Sequence, residues 1–397
     1  MQTPLTDAAS LVALRRDLHR HPELRFAEQR TAAVIARRME DAGFEVRTGV
    51  AGTGVVASLG DRSARPHVLL RADMDALPVA DLKTVDYRST TPGVTHACGH
   101  DVHMAAVVGA AERLAASGLP AGRLTVVFQP AEEIPFGEAS GGRALIETGV
   151  LEDPPVDVAL GLHCWPRLPV GTIGLDPSVA MGAKDAFRVR IDGNGAHAAT
   201  PSRGRDAILA ASLMVVALHH LLAREVNADE GAALNVGTIR GGASQSVVPS
   251  SAEITGTIRT LDADVRSRLR TAVGRTVNGT SAMSGTAVVL EWANEMPPVV
   301  NDPRLVRRAQ QVLADVPSVQ AVRLLDHPPM TADDFALYAE RVPALYMKLG
   351  VCGGEDPEAC PSLHNGRFDV DERAIVIAAD AMASLVRDLL MHPIEEG

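Results

Sequence analysis

The chain has 397 residues, beyond the usual size of one hydrophobic core, and 46% of them are hydrophobic, so two units with real cores are expected. A formal net charge of −11, with no lysine- or arginine-rich block, argues against nucleic acid as the main partner. Four cysteines in so long a chain are no disulfide framework, the first residues lack a basic-then-apolar leader pattern, and no apolar run reads as long enough to cross a bilayer; a cytoplasmic location without a membrane partner is therefore expected.

Periodicity predicts the elements in order. Apolar residues recur at helical spacing from Asp7 to Ala42, including Leu11, Leu14, Leu18, Val34, Ile35 and Met39, with a break near Pro22. Strands follow over 54–59 and 67–71, the second running into Ala72-Asp73-Met74-Asp75. A helix is predicted over 103–117, a strand over 124–129, a helix over 142–148 and a strand over 157–163. Strands alternating with helices define an α/β layer fold with a partly parallel sheet, in which ligands bind beyond the carboxyl ends of strands. Near Met181-Gly182-Ala183 the pattern changes: strand 187–191, helix 207–224, strands 233–240 and 252–259, helix 262–278 and strand 287–292. This β-α-β-β-α-β order is that of a ferredoxin-like α+β unit. After Met296-Pro297-Pro298 the chain returns to the first unit through helices over 303–315 and 371–391 flanking a strand over 343–349. The expected division is 1–182 with 293–397 as one α/β unit, interrupted by an insert over 183–292.

Residues able to carry chemistry cluster at predicted strand ends. His96-Ala97-Cys98-Gly99-His100-Asp101-Val102-His103 packs three imidazoles, a thiol and a carboxylate before an apolar helix. On extended backbone Cys98 and His100 would project to one side and grip an ion, although Cys98 alone also reads as a small core residue. Glu132-Glu133 follow the buried-strand pattern of Val126-Val127-Phe128-Gln129, where a solvated acidic pair is not expected, and His163 and His364 are isolated imidazoles. His19, His21, His219 and His220 have no acidic or thiol neighbours in sequence and read as structural. Cys164 points away from its neighbour His163 along a strand, and Cys352 and Cys360, in a Gly/Pro-rich loop, are expected as free thiols, with a disulfide or a metal site as the alternatives.

Seven segments in order (LLRADMDALPV, HACGHDVHMAA, VVFQPAEE, LGLHCWPRLPVGTIG, GAHAATPSRGRDAI, VVPSSAEITGTIRT and SLHNGRF) span nearly the whole chain. Together they closely resemble the metal-dependent N-acyl-amino-acid amidohydrolases, of hippurate hydrolase and auxin-conjugate hydrolase type, within the aminoacylase/carboxypeptidase metallopeptidase superfamily. The resemblance implies two divalent ions per subunit, zinc or manganese first and cobalt or nickel as alternatives. Matched residue by residue, Cys98, His100, Glu133, His163 and His364 are the ligands, with the Cys98 thiolate as a candidate bridge, and Glu132 is the general base. The superfamily's His-x-Asp stands here as Asp73-Met74-Asp75; the histidine is absent, and Asp75 matches the aspartate that orients the site. His197 matches a histidine that reaches into the partner subunit's site to stabilise the oxyanion, which implies a homodimer or higher homo-oligomer, and Arg259 matches a substrate-carboxylate arginine.

The chain departs from the pattern at Ser246, where a substrate-contacting asparagine is usual, at Asp333-Asp334-Phe335 in place of Glu-Asp-Phe, and at Ile134-Pro135-Phe136-Gly137-Glu138-Ala139-Ser140 in place of a glycine run. The implied activity is hydrolysis of a small N-acyl amino acid. The alternatives are a dipeptidase or carboxypeptidase on the same scaffold, or a metal-binding protein without catalysis, against which the intact Glu132 argues.

Overall fold

The computed structural model describes residues 7–354 and 356–394; residues 1–6 and 395–397, at the ends of the expected division, and Glu355 lie outside the described residues. Helix α1 (Ala8–Arg20) opens where the Asp7 carboxylate accepts from the Ala9 amide, and α2 (Gln29–Asp41) follows the break at Pro22. Then come β1 (Glu45–Val50), β2 (Gly54–Leu59), β3 (His67–Asp73), α3 (His100–Ser117), β4 (Arg123–Gln129), α4 (Gly141–Glu147), β5 (Val158–Pro169) and β6 (Thr172–Leu175). β7 (Val179–Met181) leads out to β8 (Ala183–Asp192), β9 (Ala196–His197), α5 (Ala207–Glu225), β10 (Ala232–Gly241), β11 (Val247–Val248), β12 (Ser251–Thr260), α6 (Ala263–Ser284) and β13 (Ala287–Met296). β14 (Val299–Val300) leads back to α7 (Pro303–Ala314), β15 (Ala321–Leu324), α8 (Ala336–Ala339), β16 (Ala344–Cys352) and α9 (Arg373–Met391).

An eight-stranded mixed sheet has the order β1-β2-β4-β3-β5-β16-β6-β15, with β4, β3, β5 and β16 mutually parallel. Parallel strands need cover on both faces, and β3 and β4 are buried along their whole length. Helices α1, α2, α3, α7 and α9 pack on one face, and α4 and α8 on the other. α3 is buried around most of its girth, as its run of alanine and valine allows. At Gly109 a Cβ would come within 2.6 Å of Leu11 and 3.0 Å of Ala379, so this glycine lets α1 and α9 close onto α3. The second sheet is antiparallel, in the order β10-β12-β8-β13, with α5 and α6 on one face around Phe187, Val189, Ile191 and Leu269. β7 and β14 pair side by side where the chain leaves the large sheet and returns.

The long elements fall where periodicity predicts them, and the differences have local causes. β1 and β15 lie at the two edges of the sheet and carry no clean burial pattern, and β6, though buried, is only four residues long. β13 runs on to Met296 instead of stopping at Trp292. α5 corrects the reading that no run could span a bilayer: its 19 residues are long and apolar enough by length and composition. One side of it, through Ala210, Ala211, Met214 and Leu218, is nevertheless committed to the core of the second sheet. Cys352 and Cys360, expected as free thiols, form a disulfide; the turn between them brings their Cα atoms to 6.1 Å, within bridging reach.

Candidate metal centre and hydrolytic site

The site forms beyond the carboxyl ends of β3 and β4 and beside β5 and the loop after β16. Cys98 and His100 converge, but not on extended backbone: Gly99 is left-handed at φ 85° and caps α3, so His100 is already the first helical residue. A Cβ at position 99 would lie 2.8 Å from the Cys164 sulfur, which makes glycine obligatory here for space as well as for φ. The His100 Nδ1–H donates to the Asp75 carbonyl at 2.8 Å, and that of His163 to the Cys164 carbonyl, also at 2.8 Å. Both bonds leave Nε2 as the free ring nitrogen. Against burial, the Asp73, Asp75 and Glu133 carboxylates raise the His100 pKa to about 10, so a divalent ion bound there would displace a proton from its Nε2. The His100 Nε2 is buried without any hydrogen-bond partner, and the His163 Nε2 lies 3.4 Å from the Cys98 sulfur.

Two groups of possible ligand atoms, each within 4.8 Å of one another, share Cys98: one with His100 and His163, the other with Glu133 and His364. His364 reaches its place at φ 62°, its amide held by the Ala97 carbonyl, and its Nε2 is 2.8 Å from Glu133. Ala131, just before the acidic pair, is also left-handed at φ 49°. A non-glycine residue pays for such a φ, and such strain collects at functional sites. Burial, then repulsion by Glu133 and Glu132, pushes the Cys98 thiol up, so a cation is needed to hold the thiolate. Burial lowers the His163 pKa to about 4, keeping a neutral imidazole ready to coordinate. Thiol, imidazoles and carboxylate with unpartnered lone pairs fit divalent metal ions.

Asp75 accepts the amides of both Glu132 and Glu133, at 3.1 and 2.9 Å, and so fixes the backbone that turns the two side chains to different work. Glu133 is held below the usual carboxylate range: His364 and His100 outweigh its burial. Glu132 is pushed well above that range by burial and by the Glu133, Asp333 and Asp334 carboxylates. A buried Arg71 answers part of this negative charge, contacting Asp73 and Asp334 at 2.6 Å and Asp333 at 3.3 Å. His103 is taken up between the Asp73 carboxylate and the Cys164 amide and belongs to the scaffold. His19 is structural as expected, although folding gives it acidic neighbours, Asp101 at 2.7 Å and Asp81 at 3.2 Å.

A cavity of about 330 Å³ opens over these groups, lined by Cys98, Glu132, Glu133, His163 and His364 on one side and by Lys184, Arg259, Asn294 and Met296 from the second sheet on the other. Arg259 donates to the Met330 carbonyl at 2.8 Å. His197 and Ser246 do not line this cavity. They sit together on the exposed β9–β11 ribbon, where the His197 Nδ1 accepts from the Ala199 amide and Ser246 accepts from the Ala198 amide. Sequence reasoning missed Arg71, Lys184 and Asn294 and gave no role to Asp333 and Asp334. A lone arginine inside the apolar β3 was the available signal for the first; the others depend on which strand faces the cleft.

A divalent-metal ligand set next to an unengaged carboxylate, in a cleft at strand ends, defines a metal-dependent hydrolase. Residues 69–388 match the model of peptidase family M20/M25/M40, and the chain belongs to that family as a hydrolase of amide bonds. An N-acetyl-L-cysteine deacetylase of Bacillus subtilis (strain 168) is 36% identical over 382 residues, 96% of this chain and 88% of the relative. IAA-amino acid hydrolase ILR1-like 4 of Arabidopsis thaliana is 31% identical over 388 residues, 96% of this chain and 86% of the relative. A solved Bacillus subtilis structure, described as a dinuclear metal binding peptidase from the M20 family, superposes with a TM-score of 0.81 at 32% identity, covering 97% of this chain and 98% of that one.

Proposed function

We propose that the protein hydrolyses the amide bond of N-acyl amino acids to a carboxylate and a free amino acid. The observation that carries this reading is the meeting, in one cleft, of two ligand groups sharing Cys98, the separate carboxylate of Glu132, and the Arg259 guanidinium on the opposite wall. Cys98, His100, Glu133, His163 and His364 would hold two divalent ions, zinc or manganese first. Once bound, these supply a water of lowered pKa and polarise the scissile carbonyl. Glu132 takes the proton of the attacking water and delivers it to the leaving nitrogen, a task suited to a carboxylate whose pKa has been raised. Arg259 takes the substrate carboxylate with its planar fork.

His197 stabilises the oxyanion from a second copy of the chain. In support, its ring is exposed outside its own cavity, and on the same insert α5 exposes Leu209, Leu213 and Val216 beside the edge strand β10. Such an apolar face with an open sheet edge suits a homodimer contact. In this reading 183–292 is the lid and dimerisation unit, carried on the β7–β14 ribbon, and 1–182 with 293–397 is the catalytic unit.

The test is Glu132→Gln. With metal content unchanged, kcat on N-acetyl and N-benzoyl amino acids should fall by about 10²–10⁴, and chelation of the parent should abolish turnover until metal is restored. A variant as fast as the parent would remove Glu132 from its role, and activity confined to free-amine dipeptides would favour the dipeptidase alternative.

A further inference from the structure

On the face of the second sheet turned away from α5 and α6, β8 and β12 carry four cations: Lys184, Arg188, Arg190 and Arg259. The two farther from the cleft are matched within the chain, Arg188 to Glu253 at 3.5 Å and Arg190 to Glu291 at 2.9 Å. The two that line the cavity are not. Arg259 has only the Met330 carbonyl, and Lys184 has no hydrogen-bond or ion-pair partner among the described residues. The neighbouring acid, Asp185, cannot serve: strand alternation turns it to the other face, where Arg266 and Arg270 take it at 2.7 Å each. Glu133 is engaged with His364, and neither Glu132 nor Glu133 comes within ion-pair distance of Lys184.

Lys184 and Arg259 stand directly opposite each other in the β8–β12 register, which sets their Cβ atoms about 5 Å apart. A substrate with one carboxylate satisfies the guanidinium fork and leaves a half-buried ammonium without a direct ion-pair partner beside it, an arrangement that costs free energy. Burial and the adjacent Arg259 lower the Lys184 pKa, only partly offset by the more distant Glu132 and Glu133 carboxylates. A second carboxylate one or two methylenes from the α-carbon meets this cation while Arg259 holds the first.

We infer that the cleft selects dianionic substrates, the N-acyl derivatives of aspartate and glutamate, and that Lys184 is the residue that reads their side-chain carboxylate. This rests on the N-acyl-amino-acid reading above and adds to it the identity of the amino acid.

Matched pairs test it, because N-acetyl-glutamate and N-acetyl-glutamine differ by one charge at nearly constant shape, as do the aspartate and asparagine compounds. In metal-loaded enzyme, kcat/KM should favour the acids by about tenfold or more, since a site built to bind a polar group discriminates strongly against its absence. Lys184→Met should collapse that ratio through KM, and Lys184→Arg should keep most of it. Calorimetric binding of the products should follow the same order, glutamate above glutamine, and lose it in Lys184→Met. Equal turnover of acid and amide by the parent overturns the inference while leaving amide hydrolysis intact. So does a Lys184→Met variant that loses kcat on both compounds alike, which would move Lys184 to the reacting carbonyl. Should the parent turn over none of the four while cleaving other N-acyl amino acids, the inference falls and the N-acyl reading stands. Should it cleave no N-acyl amino acid at all, the N-acyl reading itself fails, and product binding without preference for glutamate then removes Lys184's role as well.

Discussion

At single positions, the site depends on backbone conformations that the side chains alone would not choose. Ala131, Asn294 and His364 are left-handed, and each abuts or lines the cleft. Gly99 is the sharpest case, because it unites a left-handed φ with a 2.8 Å approach to the Cys164 sulfur. Gly99→Ala should destabilise the fold by about 2–4 kcal/mol, combining the left-handed penalty with overpacking, and should reduce metal binding by displacing Cys98 and His100. Denaturant unfolding and metal titration check both effects. Adding Cys164→Ala should recover the overpacking share and leave the backbone share.

Among the elements, the loops that join strands to the site do the positioning. The segment after Glu133 is clipped to the second sheet: Asn294 donates to the Pro135 carbonyl at 2.9 Å and accepts from the Gly137 amide at 3.0 Å, and Arg188 lies 4.4 Å over the Phe136 ring. The loop after β16 delivers His364, and the Cys352–Cys360 disulfide closes its first turn, spanning eight residues. Cys360→Ser should lower stability by about 2–3 kcal/mol on the loop-entropy estimate. It should also weaken retention of metal, because His364 lies just beyond the released turn. Both losses should be matched by the parent treated with a dithiol reductant; a variant that binds metal as tightly as the oxidised parent would show that the turn does not restrain His364.

For the whole molecule, the proposed use of His197 across a dimer makes two inactive chains complementary. His197→Ala retains its own Glu132, and Glu132→Gln retains the His197 that serves its neighbour. Exchange of equal amounts should restore about a quarter of the parental activity, since half of the dimers are then mixed and each has one complete site. Leu213→Asp on the exposed face of α5 should convert dimer to monomer in sedimentation and abolish the recovery. Mixtures that stay inactive while exchange is shown by labelled chains would place His197 outside the neighbouring site.

Much of this was legible in the chain itself. Periodicity located α1, α2, β3, α3, β4, α5, α6 and α9, because long amphipathic or fully buried runs write their environment into residue order. The ordered motifs singled out Cys98, His100, Glu132, Glu133, His163 and His364, and the fold gathers all six: Cys98, Glu132, Glu133 and His364 from loops, His100 from the start of α3, and His163 from within β5, which runs on to Pro169 instead of ending at position 163. Other features arise from contacts between residues far apart in sequence. The turn at Gly99, the salt bridges from Arg71 to Asp333 and Asp334, the disulfide, and the placing of Lys184 beside Arg259 on one wall of the cleft were decided by tertiary structure. Residue types and their order determined the chemistry the protein carries; only strand register and packing, which set distances between segments hundreds of residues apart, decided which charges are satisfied and which are left for a substrate.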